Sequence, residues 1–262
     1  MNLSISNIGW SNEYDEDVYE LMKQYGFKGL EIAPSRIFQE NAYEKLKEAS
    51  IWAEEINKKY GLVITSMQSI WYGRSEKLFG SREERKCLLE YTKKAIVFAN
   101  AIHCKNLVFG CPRNRVLPQK TDPSIAIDFF RELGEYATKL DTVIAIEANP
   151  TIYNTNYINR TDEAIEIIKQ VASDGIKLNL DLGTIIENDE NLNDIKGYEK
   201  LINHVHVSEP GLKIIKKRDV HEVLVRKLNE CNYDGWISIE MGKQDSIRNI
   251  EETMSYVEEV FG

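Results

Sequence analysis

The chain has 262 residues, of which 42% are hydrophobic and 29% charged, and its formal net charge is −9. This length and balance suit one globular domain, and the negative charge argues against a protein that binds nucleic acid through its phosphates. We expect a cytoplasmic protein with free thiols, because no stretch reads as a signal peptide or a membrane span and the four cysteines form no C-x-x-C pair.

Short apolar segments of period two alternate with longer amphipathic segments along the whole chain. The predicted strands are LSIS (3–6), GLEIA (29–33), LVITSMQ (62–68), NLVFG (106–110), VIAIE (143–147), KLNLD (177–181), HVHV (204–207) and WISIE (236–240). The predicted helices are 15–25, 41–59, 82–101, 123–139, 161–173, 194–202, 219–231 and 245–260. Eight strands alternating with eight helices predict an α/β protein in which residues 1–262 form a single-domain (β/α)8 TIM barrel.

Four polar residues lie at or next to the carboxyl ends of the last four predicted strands: Glu147, Asp181, His206 and Glu240. Their spacing agrees with β/α units of about 30 residues each. Each has the strand parity opposite to its bulky aliphatic neighbours, so we expect all four to point toward the barrel axis at the end where barrel enzymes hold their chemistry. Any one of them alone would more often be a capping carboxylate or a hydrogen-bonded structural histidine.

Three carboxylates and one imidazole at one place would make a mostly oxygen site for a divalent cation. Such a donor set suits Mn²⁺ or Mg²⁺, and Zn²⁺ or Co²⁺ could also enter it. His204 lies on the same strand face as His206, and either could be the ligand. We prefer His206, because it is nearer to the end of the strand.

Several strings in the sequence resemble the xylose isomerase-like barrels, specifically the sugar phosphate isomerase/epimerase family. The matching strings are IEANP (146–150), LNLDLG (178–183), HVHVSEPG (204–211) and YDGWISIEM (233–241), with weaker matches at GLEIAPSR (29–36) and SMQSIWYG (66–73). The order and spacing of these strings, which span nearly the whole chain, are more specific than any one of them.

The resemblance implies one divalent cation, Mn²⁺ first, held by the four strand-end residues. It also implies that Glu147 and Glu240 act as acid and base on opposite faces of a sugar or sugar phosphate. The expected activity is that of an isomerase or epimerase that transfers protons through a metal-stabilised enediolate. The family often has histidine three residues after the Asp ligand, whereas this chain has Thr184 there, which puts that substrate contact in doubt.

Two other functions fit the same pattern. A keto-sugar or keto-inositol dehydratase would use the same metal and acid/base layout, and a non-catalytic sugar-binding barrel would keep only the pocket. DNA-repair endonucleases with this fold use a histidine-rich trinuclear zinc site, and the four histidines of this chain are too few for it.

Further residues are predicted to surround the mouth of the barrel and to contact substrate. Glu31 and Gln68 end the second and third strands, and Trp10 and Trp71 follow the first and third; the alternatives are a buried ion pair for Glu31 and simple packing for the aromatics. The remaining candidates lie on later loops: Asn149, Tyr153, Glu209 and His221. Arg113 and Arg115 could bind a phosphate group.

The expected partner is therefore a small-molecule sugar or sugar phosphate, with no nucleic acid and no membrane. An exposed helix face could support a homo-oligomer, which the sequence leaves open.

Overall fold

The computed structural model describes residues 1–262 and consists of eight parallel strands that close into a barrel in chain order. This arrangement confirms the predicted (β/α)8 barrel, because all eight predicted strands are present and β1 pairs with β8. The strands are β1 (Asn2–Ser6), β2 (Gly29–Ile32), β3 (Val63–Met67), β4 (Asn106–Phe109), β5 (Val143–Glu147), β6 (Ile176–Asp181), β7 (Ile202–Ser208) and β8 (Trp236–Glu240).

Helices surround the barrel, and seven of them correspond to predicted helices. The helices are α1 (Asp15–Gln24), α2 (Pro34–Ile37), α3 (Leu46–Tyr60), α4 (Arg82–Ala101), α5 (Ser124–Lys139), α6 (Thr161–Val171), α7 (Leu182–Glu187), α8 (Asp219–Glu230) and α9 (Ile247–Phe261). None of these helices is both long enough and apolar enough to span a membrane.

The predicted helix at 194–202 is wrong. That segment forms two 3₁₀ turns, Leu192–Ile195 and Glu199–Leu201, separated by Gly197 at a φ of 89°. A left-handed residue cannot continue a right-handed helix, so the chain turns at this glycine. The helix of this unit is instead α7, which begins directly after β6.

The pleat of the strands separates a helix-facing layer from an axis-facing layer. In β5, Ile144 and Ile146 are fully buried, and the alternate positions end at Glu147. Strand register then aligns the polar ends: Glu147 is opposite Asn179 in β6, and Asp181 is opposite His206 in β7. Adjacent strand ends therefore place polar side chains at one level of the barrel axis.

The two ends of the chain meet at the opposite pole of the barrel. The amino group of Met1 donates a hydrogen bond to the carbonyl oxygen of Phe261 at 3.1 Å. Closure between β1 and β8 is thereby supported by α9, which ends next to the start of β1.

Candidate metal centre

Four side chains from β5, β6, β7 and β8 converge at the carboxyl end of the barrel. One donor atom from each of Glu147, Asp181, His206 and Glu240 lies within 4.8 Å of all the others, and all four residues are buried. The four residues therefore lie together in the structure, as their positions in the sequence predicted.

His206 has a defined orientation among its neighbours. Its Nδ1 lies 2.9 Å from Oε1 of Glu147 and 3.2 Å from Oε2 of Glu240, whereas its Nε2 lies 2.9 Å from Oε2 of Glu31. His204 is packed edge-on against His206 at 5.3 Å between ring centroids and approaches Glu31, not the carboxylate cluster. Of the two histidines on this face, His206 is the one that belongs to the cluster.

Amide groups hold the carboxylate of Glu147 from both sides. Asn179 donates to its Oε1 at 2.7 Å, and Asn149 donates to its Oε2 at 2.9 Å. The fully buried Arg115 donates in turn to the main-chain oxygen of Glu147, to the Asn149 side chain and to the Ile158 carbonyl. Arg115 is therefore held by internal contacts of this loop, and its possible role as a phosphate ligand stays a prediction.

Asp181 is held by residues of its own loop and of β7. Thr184 donates to its Oδ2 twice, from the main-chain N–H at 2.7 Å and from the hydroxyl at 2.8 Å, and Ser208 donates to Oδ1. The first of these bonds makes Asp181 the N-cap of α7. The same Thr184 hydroxyl lies 2.7 Å from the Ala148 carbonyl oxygen, so its single proton is shared between the two acceptors. Thr184 is buried, and its side chain supports Asp181 and does not take the place of a substrate-binding histidine.

Burial and mutual repulsion disturb the protonation of this cluster. Burial, followed by the charge of Glu147, raises the pKa of Asp181, and burial together with the neighbouring carboxylates raises the pKa of Glu240 to about 7. Burial alone would lower the pKa of His206, but Glu31 and Glu240 raise it well above its ordinary value. The protein without a cation therefore retains protons in this cluster that a cation would replace.

The residues present fit a divalent cation. Three carboxylates and one imidazole nitrogen face a common point, and hydrogen bonds from outside the cluster orient the ligand side chains. Such outer support is typical of metal ligands in proteins. The oxygen-rich donor set is compatible with Mn²⁺ or Mg²⁺ and does not by itself select one ion.

A cavity of about 680 Å³ opens above the four residues toward solvent. Four of the predicted substrate-contacting residues line it: Gln68, Trp71, Asn149 and Tyr153. Tyr72 and Arg113 add an exposed aromatic ring and an exposed cation. The cavity thus combines polar ligands at its base with aromatic surface nearer its opening, an arrangement suited to a polyhydroxylated ligand with apolar ring faces.

Glu31 and Trp10 do not line this cavity, and their contact with substrate stays a prediction. Glu31 is fully buried below the cluster, where its partners are imidazoles and Gln68 instead of the predicted Lys or Arg. The indole N–H of Trp10 donates to Asp15 at 2.7 Å, which fixes the ring in the packing between β1 and α1. Glu31 lies in β2 as predicted, and Trp10 follows β1, which ends at Ser6.

Glu209 and His221 also do not line the cavity, and their contact with substrate stays a prediction. Glu209 is buried and forms a two-pronged ion pair with Arg218 at 2.7 and 2.6 Å. His221 is buried between α8 and α9, and its Nδ1 lies 2.7 Å from the Tyr256 hydroxyl. Glu209 thus links the end of β7 to the start of α8, and His221 links α8 to α9. Their positions in the sequence do not reveal these contacts.

Sequence analysis missed two features that shape the centre. Asn179 lies two residues before Asp181 on the same strand face, and this parity is the signal that could have identified it. Gly110 follows β4, and a Cβ at this position would lie 2.7 Å from Oε2 of Glu147, so the glycine leaves room for that carboxylate.

Comparison with known proteins places the chain among barrels of similar architecture. The structure resembles 3-keto-D-glucoside 4-epimerase from E. coli, with a TM-score of 0.79, 19% identity and 98% of each chain covered. It also resembles D-psicose 3-epimerase crystallised in the presence of D-fructose, with a TM-score of 0.81, 16% identity and 100% of each chain covered. A third similar structure is the probable 3-DHS dehydratase from Bacillus anthracis, with a TM-score of 0.70, 14% identity and 98% of each chain covered.

No curated protein sequence matches the chain significantly. These structural similarities, all below 25% identity, establish the fold. The model of one protein family, described as the xylose isomerase-like TIM barrel, matches residues 19–260. The chain therefore belongs to the xylose isomerase-like TIM barrel family.

Proposed function

We propose that the protein is a divalent-metal-dependent isomerase or epimerase of a sugar or sugar phosphate. The observation that carries this proposal is the convergence of Glu147, Asp181, His206 and Glu240 at the base of a cavity of about 680 Å³. Mn²⁺ is the ion we expect first, since the donor set is mostly oxygen with one imidazole. The four unpaired cysteines agree with the reducing cytoplasm in which we expect the reaction.

Proton transfer next to a carbonyl group is the chemistry that this arrangement supports. A bound cation would polarise the carbonyl and offset the negative charge that develops when the neighbouring carbon loses its proton. Glu147 and Glu240, on the non-adjacent strands β5 and β8, each place a carboxylate oxygen near the same point. One would remove the proton from one face of the carbon, and the other would return a proton to the opposite face, as epimerisation requires.

Hydrogen bonds from neighbouring amides orient the carboxylate of Glu147 for this role. Its two oxygens accept hydrogen bonds from Asn179 and Asn149, so the carboxylate is held in one orientation before substrate arrives. Trp71, Tyr72 and Tyr153 provide aromatic surface in the cavity against which the apolar face of a sugar can rest. Two structurally similar proteins are epimerases of keto sugars, which supports a ketose as the first substrate to examine.

Substitution of Glu240 by Gln tests the proposal. The wild-type protein loaded with Mn²⁺ should interconvert at least one ketose of a panel that includes D-fructose, D-psicose, D-tagatose and a 3-keto-glucoside. In D₂O, the product should carry deuterium at the carbon that changes. Glu240→Gln should lower kcat by about 100-fold or more, because one positioned acid/base group contributes a factor of this order.

Exposed Glu187→Gln is the control variant, and its kcat should stay at the wild-type value. Full turnover by Glu240→Gln with unchanged metal content would rule out the acid/base assignment. A protein that binds no divalent ion and exchanges no substrate proton would contradict the enzymatic proposal as a whole and would favour a non-catalytic sugar-binding barrel.

A keto-sugar or keto-inositol dehydratase is the second candidate, favoured by the structural similarity to a probable dehydratase. The same base would remove the proton, and the opposite carboxyl group would protonate a leaving hydroxyl. Product mass separates the two reactions, because isomerisation conserves mass and dehydration removes one water.

A further inference from the structure

A second group of polar residues lies next to the candidate metal centre and shares His206 with it, and the proposed reaction gives no role to its other two members. Glu31, His204 and His206 are all buried, and Glu31 has no Lys or Arg partner. A carboxylate in the centre of a barrel would be strongly destabilising unless donors surrounded it. Its hydrogen bonds therefore indicate what it does.

The closest contact of Glu31 is with the imidazole that also faces the metal centre. Its Oε2 lies 2.9 Å from Nε2 of His206, on the side of the ring opposite to Glu147 and Glu240. An ionised carboxylate can only accept hydrogen bonds, so Nε2 of His206 must carry the proton in this contact. A neutral imidazole has only one N–H, which leaves the lone pair of Nδ1 free for a cation.

The carboxylate of Glu31 is itself fixed. The side-chain amide of Gln68 donates to Oε1 of Glu31 at 3.0 Å and to Oγ of Ser6 at 2.7 Å. Because Oε1 is occupied in this way, Oε2 remains directed at His206. A continuous set of hydrogen bonds thus runs from β1 and β3 through Glu31 to the ligand on β7.

The same three residues could be considered as a second cation site. His204 places Nε2 3.1 Å from Oε2 of Glu31, but this contact does not have the geometry of a hydrogen bond. Nδ1 of His204 has no hydrogen-bond partner either. A cation there would need Nε2 of His206, so the ring would have to ligate through both nitrogens and exist as an anion. A hydrogen bond from Nε2 to Glu31 requires no such deprotonation, and we therefore interpret Glu31 as an acceptor.

We propose that Glu31 is a positioning residue that keeps the proton of His206 on Nε2 and so presents Nδ1 to the metal. This inference rests on the metal centre of the proposed function, but it concerns the ring orientation and the proton position, which can be observed directly. Gln68 has a supporting role in it, since it orients Glu31 in addition to lining the cavity.

Nitrogen-15 NMR of the full chain labelled in histidine tests the proton position. Signals of the four histidines can be assigned by replacing His103, His204 and His221 in turn. Nε2 of His206 should carry a proton both in the metal-free protein and in the protein loaded with diamagnetic Zn²⁺. An Nε2 without a proton in either state would overturn the inference, and the metal-free measurement does so even if no ion binds.

The second measurement is the dissociation constant for Mn²⁺ of Glu31→Gln, Glu31→Asp and the wild type. In Glu31→Gln, the oxygen would remain with Gln68, and the new NH₂ group would face His206. This favours the tautomer with the proton on Nδ1, so Mn²⁺ should bind about 10- to 100-fold more weakly, the range typical of lost outer partners of metal ligands.

Glu31→Asp retains an acceptor and should lose less affinity than Glu31→Gln, although Asp is smaller and packs worse. A purely structural role predicts the opposite order, because Gln has nearly the size of Glu. The matched control is Glu209→Gln, which neutralises another buried carboxylate outside the cavity and should leave the His206 signals unchanged.

Wild-type affinity in Glu31→Gln, or a stoichiometry of two ions per chain with Nε2 bound to metal, would overturn the inference. Either result would leave turnover of the wild-type protein, and therefore the proposed function, untouched.

Discussion

Metal binding should become much weaker as the pH falls from about 8 to about 6, because protons and the cation compete for the same atoms. Glu240 has a pKa of about 7 and His206 a pKa well above its ordinary value in the metal-free protein. The protonated fraction of both groups is larger on the acidic side of this range. A cation must displace those protons, so the direction of the effect is a loss of affinity with falling pH.

The magnitude follows from the two groups. Glu240, with a pKa of about 7, should contribute about a tenfold loss over this range, since it changes from mostly ionised to mostly protonated. His206, whose pKa is raised well above its ordinary value, adds to this loss in the same direction. The combined effect is therefore more than tenfold, or more than about 1.4 kcal/mol of binding free energy. The raised pKa of Asp181 acts in the same direction.

Titration calorimetry with Mn²⁺ measures both the affinity and the protons released, when it is repeated in two buffers of different ionisation enthalpy. About two protons should leave per ion at the acidic end of the range. Glu240→Gln is the informative variant: its affinity should be lower overall, but its pH dependence should be shallower by one proton. An affinity that stays constant across the range, with no proton release, would refute the electrostatic reasoning.

Two further substitutions test the support around the centre. Thr184→Ala removes the hydroxyl bonds to Asp181 and Ala148 and should weaken Mn²⁺ binding about tenfold; Thr184→Ser should retain the wild-type affinity, and equal binding by both variants would contradict this role. Arg115→Met removes hydrogen bonds to three buried acceptors, of which the Ile158 carbonyl keeps a second donor in Asn149 N–H, and should lower the free energy of unfolding in urea by about 3 kcal/mol. Arg113→Met, exposed on the same loop, should change it by less than about 0.5 kcal/mol.

The barrel and the four candidate ligands were predictable because strand periodicity depends on adjacent residues. In β5 and β6, the alternation of aliphatic and polar residues is visible in VIAIE and KLNLD, and it assigns each side chain to one face. Parallel strands in chain order then bring equivalent ends together without further information.

The predicted helix at 194–202 failed for a local reason. Gly197 lies in the middle of the segment and adopts a left-handed conformation, and the preceding residues 188–194 (NDENLND) are rich in Asn and Asp, which favour caps and turns. The true helix, α7, is only six residues long, too short to show a helical period. The residue that caps the start of α7 is Asp181, which is also a candidate metal ligand.

The side chains around the four ligands were less predictable, because their roles depend on contacts distant in sequence. Glu31 is 175 residues from His206, and no local pattern indicates that their side chains meet. Glu209 and Arg218 form their pair within one loop, but nothing in the sequence distinguishes that pair from two solvated charges. The position of a residue along a strand predicts the end of the barrel at which it lies. The hydrogen-bond or ion-pair partner of its side chain depends on packing between distant segments.

Asp181 gives the centre a property that a ligand on a strand alone would lack. Its carboxylate caps the start of α7 and is also one of the four candidate ligands, so one side chain would serve both helix formation and ion binding. Unwinding the first turn of α7 would release Oδ2, and binding an ion would in return discourage that unwinding. Ion binding would therefore also stabilise the first turn of α7, and the order of the loop that follows β6 would report whether an ion is bound.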